Sequence, residues 1–226
     1  MPCDVDETGH QAPVLQLLRM ATSAWKKLPA EAFAKVDADD DELFYAAPRF
    51  VMHIDEAAVD ALTRFYTMRL PRNGVILDLM SSWVSHLPQS FTGKAIGQGM
   101  NAEELAANPR LDAFTVHNLN LESKLPYGDS TFDAALCCVG VQYLVRPDVV
   151  FSEVARVLRR DAPIVISFSN RCFPTKAVAI WRSLDSRGRA DLVTYYLRNA
   201  GFHRVEQHIL CDGTVSDPLA AVVGYA

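Results

Sequence analysis

The 226-residue chain has no long hydrophobic run, no excess of positive charge and no metal-ligand spacing. No apolar stretch nears the ~18–20 residues needed to span a bilayer, so a transmembrane helix and a membrane partner are not expected. Lys and Arg total 22 against 27 Asp and Glu, a net charge of −5. The basic stripe that grips duplexes is missing, which argues against a nucleic-acid partner. Cys3, Cys137, Cys138, Cys172 and Cys211 form no CxxC motif and the six histidines are scattered, so no metal site is expected. The first residues, MPCDVDETGH, are acidic and unlike a secretory signal. The vicinal pair Cys137-Cys138 sits in an apolar run and reads as two small hydrophobes in a reducing compartment. A cytoplasmic protein is the expectation. There is no internal repeat and no low-complexity segment.

What the chain does have is enough apolar sequence, 50% of its residues, to bury one domain. Residues 13–28 carry Val14, Leu17, Leu18 and Trp25 at helical spacing, and an acidic break, DADDDE, follows at 37–42. A second helix is expected after Asp55, a good N-cap, running to Pro71. The pattern then changes to short β-rich runs alternating with helical ones. VILDL (75–79), KAIGQ (94–98), AFTVH (113–117), FDAALCC (132–138) and APIVISF (162–168) read as strands. Short helices are expected in SWVSHL and in NAEELAANP, the latter with Asn101 and Glu104 in a capping-box arrangement. Further helices are expected over 148–160, 175–183 and 187–200. RVEQHIL and PLAAVVGYA close the chain as strands joined by a link too short for a crossover, so they should pair antiparallel. The predicted fold is α/β: a Rossmann-like, doubly wound, seven-stranded sheet, mostly parallel with an antiparallel C-terminal strand, plus N-terminal helices. The expected division is a helical extension or lid over 1–70 and the main domain over 71–226.

Three stretches carry a family resemblance: VILDL, LPYGDSTFDAALCC, and VFSEVARVLRRDAPIVIS. In that order they resemble the class I S-adenosylmethionine-dependent methyltransferases of the type 11 branch, over roughly residues 72–226. The resemblance implies S-adenosylmethionine as cofactor and methyl transfer to a small-molecule acceptor. The alternative is a catalytically inactive methyltransferase-like binding or regulatory module. A monomer or homodimer fits either reading.

Two departures stand out. Where the family has a glycine-rich turn, this chain reads Asp78-Leu79-Met80-Ser81-Ser82-Trp83-Val84, and Gly99 stands where an acid usually meets the ribose. Losing that charge-assisted bond should weaken binding by about 1.5–3 kcal/mol.

By the resemblance, the cofactor residues are Asp78, Met80, Ser81, Ser82, Gly99, Met100, Asn101, Asn118, Leu119 and Val139, with Asn120 as an alternative to Asn118. Both asparagines read equally well as turn formers. Gln142, Tyr143, Arg171, Phe173, Tyr45 and Arg49 are the candidates for the acceptor, with Lys176 as a further cation at the same rim and His53 beside the lid residues. The candidate catalytic residues are His86, an imidazole near the cofactor loop, and Tyr143. For each, packing or capping is the competing role, and Trp83 reads as core.

Overall fold

The computed structural model describes residues 28–226; the helix expected over 13–28 lies outside them, apart from Leu28. Seven strands form one sheet: β1 (Val75–Leu79), β2 (Lys94–Gly99), β3 (Ala113–Val116), β4 (Ala134–Cys138), β5 (Pro163–Ser169), β6 (Arg204–Cys211) and β7 (Leu219–Tyr225). Their order is β3-β2-β1-β4-β5-β7-β6. Only β7 runs antiparallel to its neighbours, as the short link before it requires. The strand order reverses between β1 and β4, so their carboxyl ends diverge into a crevice where ligands of such sheets bind.

Side chains of successive strand residues point to opposite faces, and each face has its own cover. One face, with Leu77, Ala135, Ile164 and Val222, packs under α4 (Pro147–Val157) and α6 (Ser186–Asn199). These helices present Val150, Phe151, Val154 and Val157, and Leu192, Val193, Tyr196 and Leu197, at i, i+3, i+4 spacing. The opposite face, with Ile76, Ala95, Ala134 and Val223, is covered by α2 (Glu56–Arg69) through Ala58, Leu62, Phe65 and Tyr66. Asp55 caps α2 as expected, its carboxylate accepting from the Ala58 N–H. Three short helices complete the set: α1 (Asp41–Tyr45), α3 (Ala102–Ala107) and α5 (Ala179–Arg182).

The helix expected in SWVSHL does not form. Residues 80–93, between β1 and β2, are irregular, and Leu87 and Phe91 plug the sheet face where a crossover helix would lie. Side chains satisfy this backbone instead of an i→i−4 ladder. Asn108 donates to the Ser82 carbonyl and the Ser85 hydroxyl, and Thr63 donates to the His86 carbonyl. The β3–β4 connection also lacks a helix, so fewer crossovers are helical than the alternating pattern implied.

The candidate active site

One pocket opens at the carboxyl rim, between the ends of β1, β2 and β4 and the segment that precedes α2. The empty space between its walls, open solvent at the mouth included, is about 1140 Å³.

Asp78, the penultimate residue of β1, lies on the pocket wall and is buried. Its Oδ2 accepts from the hydroxyls of Ser81, at 2.8 Å, and Ser85. Oδ1 accepts from none of the described residues and is left to the pocket. Burial pushes this carboxyl up to about 6, against the partial relief of the two serines.

The glycine-poor turn is accommodated by glycines on the neighbouring strand ends. Met80 takes the left-handed conformation usual for glycine, φ 55°, at a cost of about 1–2 kcal/mol. Its side chain turns toward Gly140, where an added Cβ would stand 2.9 Å from the Met80 Cβ. At Gly99 an added Cβ would stand 2.3 Å from the Ser81 carbonyl oxygen. The turn is stitched down there, with the Ser81 N–H donating to the Gln98 carbonyl and the Met80 N–H to the Gln98 side chain. Gly99 is therefore required by the turn, and an acid at this position would have no room. Gly99→Asp should destabilise the fold by about 1–3 kcal/mol and leave cofactor affinity no better, as a melt and a titration would show.

Trp83 lies outside the pocket, its Nε1 donating to the Val51 carbonyl and its ring edge-on to Phe50. Neither Met80 nor Trp83 fills the space beside Asp78.

The structure brings all the expected cofactor residues to the pocket wall: Asp78, Met80, Ser81, Ser82, Gly99, Met100, Asn101, Asn118, Leu119 and Val139. Two of them act mainly as structure. Asn101 caps α3 and ties down the Tyr45 and Ala46 carbonyls, while Ser82 donates to Glu104. Asn118 lines the same wall and its side chain accepts from the Asn120 N–H, the turn role that competed with adenine contact. Asn120 itself donates to Asp41 and to the Tyr143 carbonyl.

Tyr45, Arg49, Tyr143 and Phe173 also line the pocket, with His53 and His86. Three candidates lie elsewhere. Gln142 is buried and donates to the Val139 carbonyl at 2.8 Å. Arg171 is exposed and turned onto Asp217. Lys176 is fully buried, gripping the Asp39 carbonyl at 2.7 Å and the carboxylates of Asp37 and Asp41, and Asp41 also pairs with Lys35. Arg171 and Lys176 are thus committed to partners within the chain.

Tyr143 accepts the Phe173 N–H, and burial pushes its phenol up to about 12. It is a neutral hydrogen-bonding group at ordinary pH, unsuited to act as a base. Burial lowers both imidazoles, His86 to about 4 with His53 adding to the effect, so both are neutral there. Burial pushes the Cys138 thiol at the pocket edge up to about 12, which makes it a poor nucleophile.

Sequence reasoning missed Glu104. In place of closing a capping box, it accepts the Arg49 N–H and the Ser82 hydroxyl, partners 55 and 22 residues away. No local pattern signals such contacts. The short spacing of Asn101 and Glu104 pointed only to the cap, and Asn101 does supply it.

Residues 74–166 match the family model described as a methyltransferase domain. Over that stretch the chain is similar to methyltransferase domains. No curated relative matches its sequence. Among solved structures, an S-adenosylmethionine-dependent methyltransferase from Mesorhizobium loti is 15% identical, with TM-score 0.52, covering 74% of this chain and 100% of that one. Another, from Archaeoglobus fulgidus, is 11% identical, with TM-score 0.54 and coverage of 74% and 93%. Phosphoethanolamine N-methyltransferase 2 of Haemonchus contortus, solved with S-adenosylmethionine, is 13% identical, with TM-score 0.52 and coverage of 74% and 51%. At these identities the likeness to each structure is one of fold. Among the described residues no helix is long and apolar enough to cross a membrane, and no cluster of side chains could hold a metal.

Proposed function

We propose that the chain transfers a methyl group from S-adenosylmethionine to a small-molecule acceptor, with the cofactor beside Asp78 and the acceptor between Tyr45, Arg49, His53, Tyr143 and Phe173. The observation that carries this reading is the buried Asp78 carboxylate, with one oxygen held by serines and the other left to the pocket. Such a group suits an ammonium. Asn118, Met100 and Leu119 at the ends of β2 and β3 supply a polar edge and apolar walls suited to a nucleobase.

When bound, the cofactor supplies an already activated methyl group, so the protein's tasks are alignment and exclusion of water. Asp78 orients the donor. The aromatic walls fix the acceptor, and a neutral imidazole takes its proton. Residues 34–49 roof the pocket as a lid, held by Glu104, Asn101 and Lys176. The inactive-module alternative loses its main support, because Gly99 and Gly140 absorb the bulk of the altered turn.

Calorimetric titration with S-adenosylhomocysteine tests the reading. Saturable binding is expected at pH 8. A cation beside Asp78 favours its ionised form, so affinity should fall as protonation sets in below pH 6, by about tenfold at pH 5. Asp78→Ala should remove both the binding and its pH dependence. Absence of heat from wild type at millimolar ligand would refute the proposal.

A further inference from the structure

The acceptor half of the pocket has a definite chemistry. Tyr143 and Phe173 stack with centroids 6.1 Å apart, and Tyr45 and His53 stand edge-on to Phe173 at 6.4 and 5.9 Å. These rings pack on one another and form an aromatic wall of the pocket.

Among the described residues Arg49 is the one Lys or Arg of this wall, and no described carboxylate pairs with its guanidinium. It rests 4.3 Å from the Phe44 centroid, with NH2 donating to the Phe44 carbonyl at 2.7 Å and NH1 to that of Ala47 at 3.4 Å. Two of its five N–H groups are thereby used, and three remain. The carboxylates nearby are spoken for. Glu104 accepts the Arg49 N–H and the Ser82 hydroxyl, and Asp41 is held by Lys35, Lys176 and Asn120. Among the described residues Arg49 is thus the cation of this wall with N–H donors to spare, and an anionic acceptor can take them.

Burial and the Ser81 and Ser85 hydroxyls account for the state of Asp78, and no charge of Arg49 contributes. Arg49 does act on Tyr45 and His53, against the larger opposing charges of Asp41 at Tyr45 and Glu104 at His53.

We infer that the acceptor is a planar aromatic acid bearing a hydroxyl group, its anion held by Arg49 and its ring by Tyr143 and Phe173. The inference rests on the methyl-transfer reading above. His53, beside Phe173, takes the hydroxyl proton. The acceptor oxygen forms its C–O bond to the donated methyl as the C–S bond breaks, and that electron pair stays on sulfur. His53 then releases the proton to solvent, and a methyl ether leaves.

The test is calorimetry on protein saturated with S-adenosylhomocysteine, using 4-hydroxybenzoate and tyramine as probes. The acid should bind saturably and at least about tenfold more tightly than the amine. Arg49→Met should weaken acid binding by about tenfold or more, Arg49→Lys by less, and both should keep the wild-type affinity for S-adenosylhomocysteine. Tighter binding of tyramine, or an Arg49→Met variant with unchanged acid affinity, overturns the inference alone. So does an equal loss of S-adenosylhomocysteine affinity in Arg49→Met, which would assign Arg49 to the cofactor's carboxylate. Failure of wild type to bind S-adenosylhomocysteine instead sinks the methyl-transfer reading and this inference with it.

Discussion

Asp78→Asn is expected to be more stable than wild type at pH 7.5 while losing cofactor binding. In the folded chain this carboxyl sits at about 6, above its ordinary 3.8. A group raised in this way favours folding fully below pH 3.8, and that benefit is lost as pH rises through 6. At pH 7.5 the buried charge therefore costs about 3 kcal/mol. Asparagine carries no charge, and its side-chain oxygen can still accept from Ser81 and Ser85. The variant should melt roughly 6–12 °C higher at pH 7.5, and the gap should close near pH 4. A scan of melting temperature against pH reads both. Equal stability at pH 7.5 would mean that Asp78 is not the strained anion described above. The stored cost is what a cationic ligand relieves, so stability and affinity should move in opposite directions.

Lys176→Met should have the opposite effect. Lys176 is 0% exposed and is the anchor to which Asp37, Asp39 and Asp41 attach. Removing one partner from a buried ionic cluster leaves the others unsatisfied, typically at about 3–5 kcal/mol. Asp41 keeps Lys35, and the Asp37 side chain is 31% exposed, so the lower figure applies. A fall in melting temperature of roughly 6–12 °C is expected. Protease cleavage in the segment over 34–46 should appear before global unfolding, because the Lys176 contacts hold that segment down. Limited proteolysis with mass readout checks this. A variant as stable and as resistant as wild type would show that the buried lysine does not hold the roof.

Much of this architecture was legible in local pattern. Strands such as VILDL and AALCC are nearly all apolar because both faces are covered, and the brief CDGTVSDP link forces β6 and β7 to pair antiparallel. The N-caps Asp55 and Asn101 were visible because their partners lie within three residues. SWVSHL was misjudged for the same reason in reverse, since its backbone is satisfied by Asn108 and Thr63 from other elements.

Among the candidate site residues, those at strand ends came together because strand ends set their positions. Arg171 and Lys176 showed the limit of that logic. A cation in the right segment says nothing of the carboxylate that will claim it, and Asp217 and Asp41 are distant in sequence. Gly99 was read as a lost determinant, yet its bare Cα is what admits the Ser81 carbonyl. That fit is three-dimensional and leaves no trace in the spacing of residues.

The central claim is that the rim pocket beside Asp78 seats the cofactor. A crystal structure of the wild-type protein grown with S-adenosylhomocysteine tests it most directly. Density should place the amino group within hydrogen-bond reach of the free Asp78 oxygen and the adenine between Met100 and Leu119. A ligand bound elsewhere, or an empty pocket at saturating concentration, would contradict it.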